Sequence, residues 1–115
     1  MSNDKKTIGI TKANHSALQK LLQTGQFASE LDAAKFAMAF AVRNKVSAGR
    51  ADGADTKWNV GSLDPSGDLR EMVLTLYPDA SEPYRLMERL MNEGIRSLAG
   101  DAENPDVFGV LFSND

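Results

Sequence analysis

Little in this chain is equipped for catalysis. It has one histidine, His15, and no cysteine, so thiolate nucleophiles, disulfides and thiolate metal sites are excluded. No Gly-x-Ser-x-Gly turn and no glycine-rich phosphate loop occurs, and no His/Asp/Glu set has metal-ligand spacing. His15 precedes Leu18 and Leu22 by three and seven residues, which puts it on the flank of a helical apolar stripe, a structural position. Asp52-Gly53-Ala54-Asp55 opens like a calcium loop, but Lys57 and Trp58 stand where later ligands are needed. The carboxylates of the second half fall between apolar positions, the pattern of a solvated helix face. The chain reads as a non-enzyme without metal or cofactor.

What remains is electrostatic. Residues 1–50 carry eight Lys/Arg against three Asp/Glu, a balance of +5, whereas residues 51–115 carry five against thirteen, a balance of −8. The first half suits a polyanion; the acidic half opposes one or faces a protein partner. At 115 residues, 42% apolar and 25% charged, the composition is that of one small globular domain. No apolar run approaches the ~18 residues of a membrane span. Met1 to Lys6 has no apolar core behind it, so it does not read as a signal peptide, and the expected location is the cytoplasm.

These charges are positioned by residues 5–42. Thr7-Ile8-Gly9-Ile10-Thr11 alternates as a strand, with Ile8 and Ile10 on one face and Thr7, Gly9 and Thr11 on the other. A lone strand needs a mate, and no second convincing strand is nearby, so the expected mate is the same strand of another copy. Thr11 caps a first helix with the stripe Leu18, Leu21 and Leu22, and Thr24-Gly25 ends it. Ser29, with Asp32 three residues on, caps a second, alanine-rich helix over about 30–44. Phe36 and Phe40 add so much apolar surface that burial on more than one side is expected, as in a dimer core.

Thr24-Gly25-Gln26-Phe27-Ala28-Ser29 followed by Asp32-Ala33-Ala34-Lys35 resembles the turn and second helix of antitoxin-type ribbon-helix-helix proteins. That resemblance covers roughly the first 40 residues. It implies an intertwined homodimer or tetramer whose two N-terminal strands form an antiparallel ribbon in the DNA major groove. The DNA-binding residues it implies are Lys5, Lys6, Thr7, Gly9, Thr11 and Lys12, with Ser29 and its neighbouring amides meeting phosphate. Gly9, however, presents no side chain to a base, and Glu30 repels phosphate, so sequence specificity is expected to be weak.

Beyond Val46 the chain is Gly-, Ala- and Asp-rich and reads as a loop, with Trp58 and Val60 anchoring the return. Asp64-Pro65 opens a third helix with the stripe Leu69, Met72, Val73 and Leu76, closed by Tyr77-Pro78. Ser81-Glu82-Pro83 opens a fourth with the stripe Met87, Leu90, Met91, Gly94, Ile95 and Leu98, closed at Gly100. Gly94 on the apolar face marks a close-packing point. The tail ends in Val107-Phe108-Gly109-Val110-Leu111-Phe112, which must dock on its own core, on a neighbouring subunit or on a partner. The order of strand, two helices, Trp58 and a helix ending Asn92-Glu93-Gly94-Ile95-Arg96-Ser97-Leu98-Ala99-Gly100 is similar to the small E subunit of the DNA phosphorothioation system. That family implies a ribbon-helix-helix-like core in a non-enzymatic oligomer concerned with DNA.

The expected architecture is therefore mainly α. A ribbon-helix-helix-like segment, 1–46, is followed by a linker, 47–62, and by a helical segment, 63–115, packed with the first as one domain. The expected function is a transcriptional regulator that binds duplex DNA through an intersubunit ribbon. The alternatives are an accessory subunit of a DNA-modification or defence complex, or an antitoxin-like protein masking a basic partner with its acidic half.

Overall fold

The structure, a computed structural model, describes residues 4–46 and 53–102. The order of elements is β1 (Thr7–Ile10), α1 (Lys12–Gln23), α2 (Glu30–Arg43), β2 (Asp55–Asn59), α3 (Val60–Leu63), α4 (Asp68–Leu76) and α5 (Pro83–Ala102). The chain is mainly helical, as expected, with a small antiparallel sheet. The apolar run 107–112 lies outside the described residues.

The first half follows its local signals. Thr11 caps α1, its hydroxyl accepting from the Asn14 amide at 3.3 Å, and Ser29 caps α2 by accepting from Asp32 at 3.1 Å. Gly25 takes the left-handed conformation that ends α1, with φ of 78°. Phe27 stacks on Phe36 in a tilted pair, ring centroids 5.3 Å apart, closing the α1–α2 corner.

The core forms where α2 meets α5, the most extensive helix–helix contact. Ala33, Ala34, Ala37, Met38 and Ala41 form the buried face of α2, and Met87, Leu90, Met91, Ile95 and Leu98 that of α5. Each fully buried Leu, Ile or Met side chain contributes about 1.5–3 kcal/mol of hydrophobic stabilisation. The alanines let the two backbones approach, and Gly94 sets the limit. A Cβ there would fall 1.9 Å from the Ala37 carbonyl oxygen, so α5 runs unbroken through a glycine that the contact requires. The small residues of α2 thus serve an internal helix rather than a second subunit.

Several expectations need correction. The region taken as a linker contains a strand: β2 pairs with β1 in register Thr7↔Asn59 and Ile8↔Trp58, then, past a bulge, Gly9↔Thr56 and Ile10↔Asp55. β1 therefore finds its mate within its own chain. The third helix starts at Asp68 rather than at Pro65, because the Asp64 carboxylate reaches over the turn at Gly67 to the Leu69 and Arg70 amides, at 2.9 and 3.0 Å. Its expected stripe is buried only at Val73; Met72 and Leu76 are 36% and 49% exposed, since α5 covers one side of a nine-residue helix and spends its other faces on α2, α1 and β1. Gly100 lies inside α5 rather than ending it.

Two glycines of α5 give opposite tests. Gly100→Ala, with open space around it, should stabilise by up to about 1 kcal/mol through helix propensity alone. Gly94→Ala should instead destabilise by about 1–3 kcal/mol or more, as overpacking does. Urea denaturation of both variants decides it: stabilisation by Gly94→Ala would contradict the α2–α5 contact.

Candidate functional site

The ribbon expectation makes β1 the site to examine, and every backbone group of its centre is occupied. Along one edge it pairs with β2, and the Val60 amide extends the ladder by donating to the Lys6 carbonyl at 3.0 Å. Along the other edge lies α5, whose side chains do the work of a strand. Glu88 accepts the Gly9 amide at 2.7 Å, Asn92 Nδ2 donates to the Gly9 carbonyl at 3.1 Å, and Asn92 Oδ1 accepts the Thr11 amide at 3.0 Å. Residues 88 and 92 are one helical turn apart, a rise of about 6 Å, close to the two-residue repeat of a strand edge at about 6.6–6.8 Å. That match lets one helix face replace a ladder.

The same helix holds the residues on either side of β1. The Asp4 carboxylate accepts the Tyr84 and Arg85 amides at 2.9 and 3.0 Å, capping α5 from the far end of the chain. Lys5 Nζ sits 2.5 Å from Glu88 Oε2, whose side chain is only 4% exposed. Asn14 Nδ2 donates to the backbone carbonyl and to Oδ1 of Asn92, both at 3.0 Å. Asn92 is thus saturated, with its Nδ2 also on the Glu88 carbonyl at 2.8 Å. Residues 4–14 and 84–92 run side by side in the same direction, joined by buried polar bonds.

The sequence-derived site residues are consequently divided. Gly9, taken as an outward position, is buried: a Cβ there would lie 2.8 Å from the Asp55 carbonyl oxygen and 3.0 Å from the Ala54 side chain. Its glycine is required by the close approach of the β2 backbone. Lys5 is engaged by Glu88, and Thr11 is used as a cap and an Asn92 partner. Thr7 is half-buried, its hydroxyl 3.5 Å from that of Thr56. Lys6, Lys12 and Ser29 are exposed. Glu88 and Asn92 were missed because polar residues between the apolar positions of the second half read as solvated surface. A signal existed: at about 100° per residue they continue the arc of Met87, Met91 and Ile95 on one side, so they border the buried stripe.

The single histidine stands apart from β1 and Glu88, beside β2. His15 is 37% exposed at its side chain, with Nε2 3.9 Å from the exposed Asp55 carboxylate. Among the described residues no group of three or more His, Asp or Glu could hold a metal ion. A shallow depression of about 620 Å³ at the start of α5 is lined by Asp79, Ser81, Glu82, Arg85 and Arg89 among others. Arg85 is paired there with Glu82, while Asp4 already occupies the helix's first amides. No helix among the described residues is long and apolar enough to cross a membrane.

Asp64, whose proton affinity is shifted, has a structural role. Burial pushes the Asp64 carboxyl up, but the Leu69 and Arg70 amides, the Tyr84 hydroxyl at 3.0 Å and the Lys35 charge together hold it below its ordinary value. Tyr84 is raised in turn, by burial and then by its bond to Asp64. A depressed acid stabilises the fold fully above its ordinary value of 3.8, and that stabilisation is lost as pH falls through the lower folded value.

No family model, curated protein or solved structure matches the chain.

Asp64→Asn should lower stability at pH 7 and flatten the acid limb of the pH–stability curve below pH 3.8, measured by urea midpoints. An unchanged acid limb would contradict the capping role. Asn92→Ala should cost at least about 2 kcal/mol, because unpaired buried donors and acceptors cost about 1–3 kcal/mol each. A near-neutral Asn92→Ala would contradict the sealed edge.

Proposed function

We propose that the protein is a non-enzymatic binding module that associates with duplex DNA through phosphates, as an accessory subunit of a DNA-modification or defence complex would, rather than a regulator reading base edges. The observation that carries this reading is the state of β1. A reading ribbon needs one free strand edge and an exposed outer face, whereas here both edges are paired and Gly9 lies beneath Ala54 and Asp55. Reading bases in that way would require β1 to leave β2 and α5 together.

The charge distribution supports phosphate contact. Residues 4–46 carry seven Lys/Arg and three Asp/Glu. Of those acids, Asp4 caps α5 and Glu30 lies 2.8 Å from Lys57. Lys6, Lys12, Arg43 and Lys45, in or beside β1, α1 and α2, are exposed, and such side chains would meet a polyanion without base selection. Homodimers or tetramers, in this reading, join finished subunits and multiply the phosphate contacts.

Fluorescence anisotropy with several unrelated duplexes tests it. Binding should weaken steeply with salt, differ little between sequences, and lose about two from the salt slope in the Lys6→Glu/Lys12→Glu variant, one per phosphate contact. One preferred duplex bound far more tightly than the rest would overturn the phosphate-only reading; no duplex binding at low salt would overturn the DNA association itself.

A further inference from the structure

α1 differs from the other helices in charge. Among the described helices longer than one turn, α2 holds Glu30 and Asp32, α4 holds Asp68 and Glu71, and α5 holds Glu88 and Glu93. Lys12–Gln23 holds no acid; its charged residues are Lys12 and Lys20. The residues it turns to water are Lys12, Ala13, Ser16, Gln19, Lys20 and Gln23. At about 100° per residue these share an arc of about 120°, opposite the buried Asn14, Leu18 and Leu21. The arc runs from one end of the helix to the other, a rise of about 16 Å. Among the described residues, no hydrogen bond or ion pair engages the side chains of Lys12, Ser16, Gln19 or Gln23. Asp55 approaches α1 at His15, on the border of the arc.

We propose that this outward face of α1 is the track along which the duplex backbone lies, with Ser16, Gln19, Lys20 and Gln23 joining Lys12 in phosphate contact. The inference rests on the DNA association proposed above and names the surface that carries it. The first support is the chemistry of the face. Lysine ammonium, serine hydroxyl and glutamine carboxamide groups all donate hydrogen bonds, and phosphate oxygens accept them. A carboxylate anywhere along the arc would repel phosphate, and α1 has none.

The second support is spacing. Lys12 and Lys20 are separated by a helical rise of about 12 Å, against about 3.4 Å of axial rise per phosphate on one strand. Each ammonium therefore meets its own phosphate, and the polar side chains between them fill the interval. Other occupants fit worse. A membrane surface takes up large apolar side chains, and the apolar residue of the arc is Ala13. The core of a protein interface is built on aromatic and methionine anchors and is poor in lysine.

Salt titrations of binding to unrelated duplexes, run on two matched variants, test the inference. Lys12→Gln/Lys20→Gln and Arg70→Gln/Arg89→Gln each remove two exposed charges, the first from α1 and the second from α4 and α5. The α1 variant should lose about two from the salt slope, while the other keeps the parent's slope. Gln19→Glu keeps the shape and helix propensity of glutamine but sets an acid in the stripe, and should weaken binding at least about fivefold. Urea midpoints close to the parent's show that the variants are folded. Equal slope losses in the two double variants, or Gln19→Glu binding as tightly as the parent, would overturn the α1 track while duplex binding itself stands. Absence of duplex binding by the parent at low salt would overturn the DNA association and the track with it. Binding to phosphatidylserine vesicles that falls in the α1 variant while duplex binding does not would assign the face to a membrane and overturn the track.

Discussion

The fold depends on one substitution of parts: the side chains of Glu88 and Asn92 stand where a strand would be. A strand of four residues buried against a helix leaves an amide and a carbonyl of Gly9 and an amide of Thr11 facing protein rather than water. Leaving such groups unpaired is costly, and each is met by a carboxylate or carboxamide a helical turn from the next. Because these bonds are directional, they fix the height and direction of α5 along β1. The apolar faces of α2 and α5 then meet at the one register in which Gly94 lies against Ala37. Hydrophobic burial supplies most of the stabilisation; the polar pair supplies the alignment.

That constraint bears directly on function. A ribbon shared between subunits and a strand sealed on both edges are alternative uses of the same backbone groups. With the edges spent internally, the N-terminal lysines divide into Lys5, neutralised at Glu88, and Lys6 and Lys12, left in water. The first belongs to the fold and the others are available to a polyanion.

Legibility from sequence followed the range of the interactions. The caps at Thr11 and Ser29, the glycine turn at Gly25, the stripe of α5 and the packing role of Gly94 were readable because each rests on neighbours within a turn or on helical periodicity. β2 was not readable: Asp-Thr-Lys-Trp-Asn has neither alternation nor strong strand propensity, and it is extended because β1 holds it. The start of α4 was misplaced because Asp64 caps amides five and six residues ahead rather than two or three. At the candidate site, the residue types drew attention to β1 correctly, but its use depended on Glu88 and Asn92, some eighty residues away. An acid bordering an apolar stripe looks the same in sequence whether water or a strand edge lies beside it.

The central claim, that β1 is completed within its own chain, is open to a direct covalent test. Thr7 and Asn59 face each other across the strand pair, flanking the hydrogen-bonded Ile8–Trp58 pair. Such non-hydrogen-bonded positions have Cα atoms about 4.5 Å apart, within disulfide range. The chain has no cysteine to interfere. Mass analysis of the oxidised, non-reduced Thr7→Cys/Asn59→Cys variant should show one internal disulfide at the monomer mass. Disulfide-linked dimers as the main product, joined through position 7 of both copies, would contradict the account.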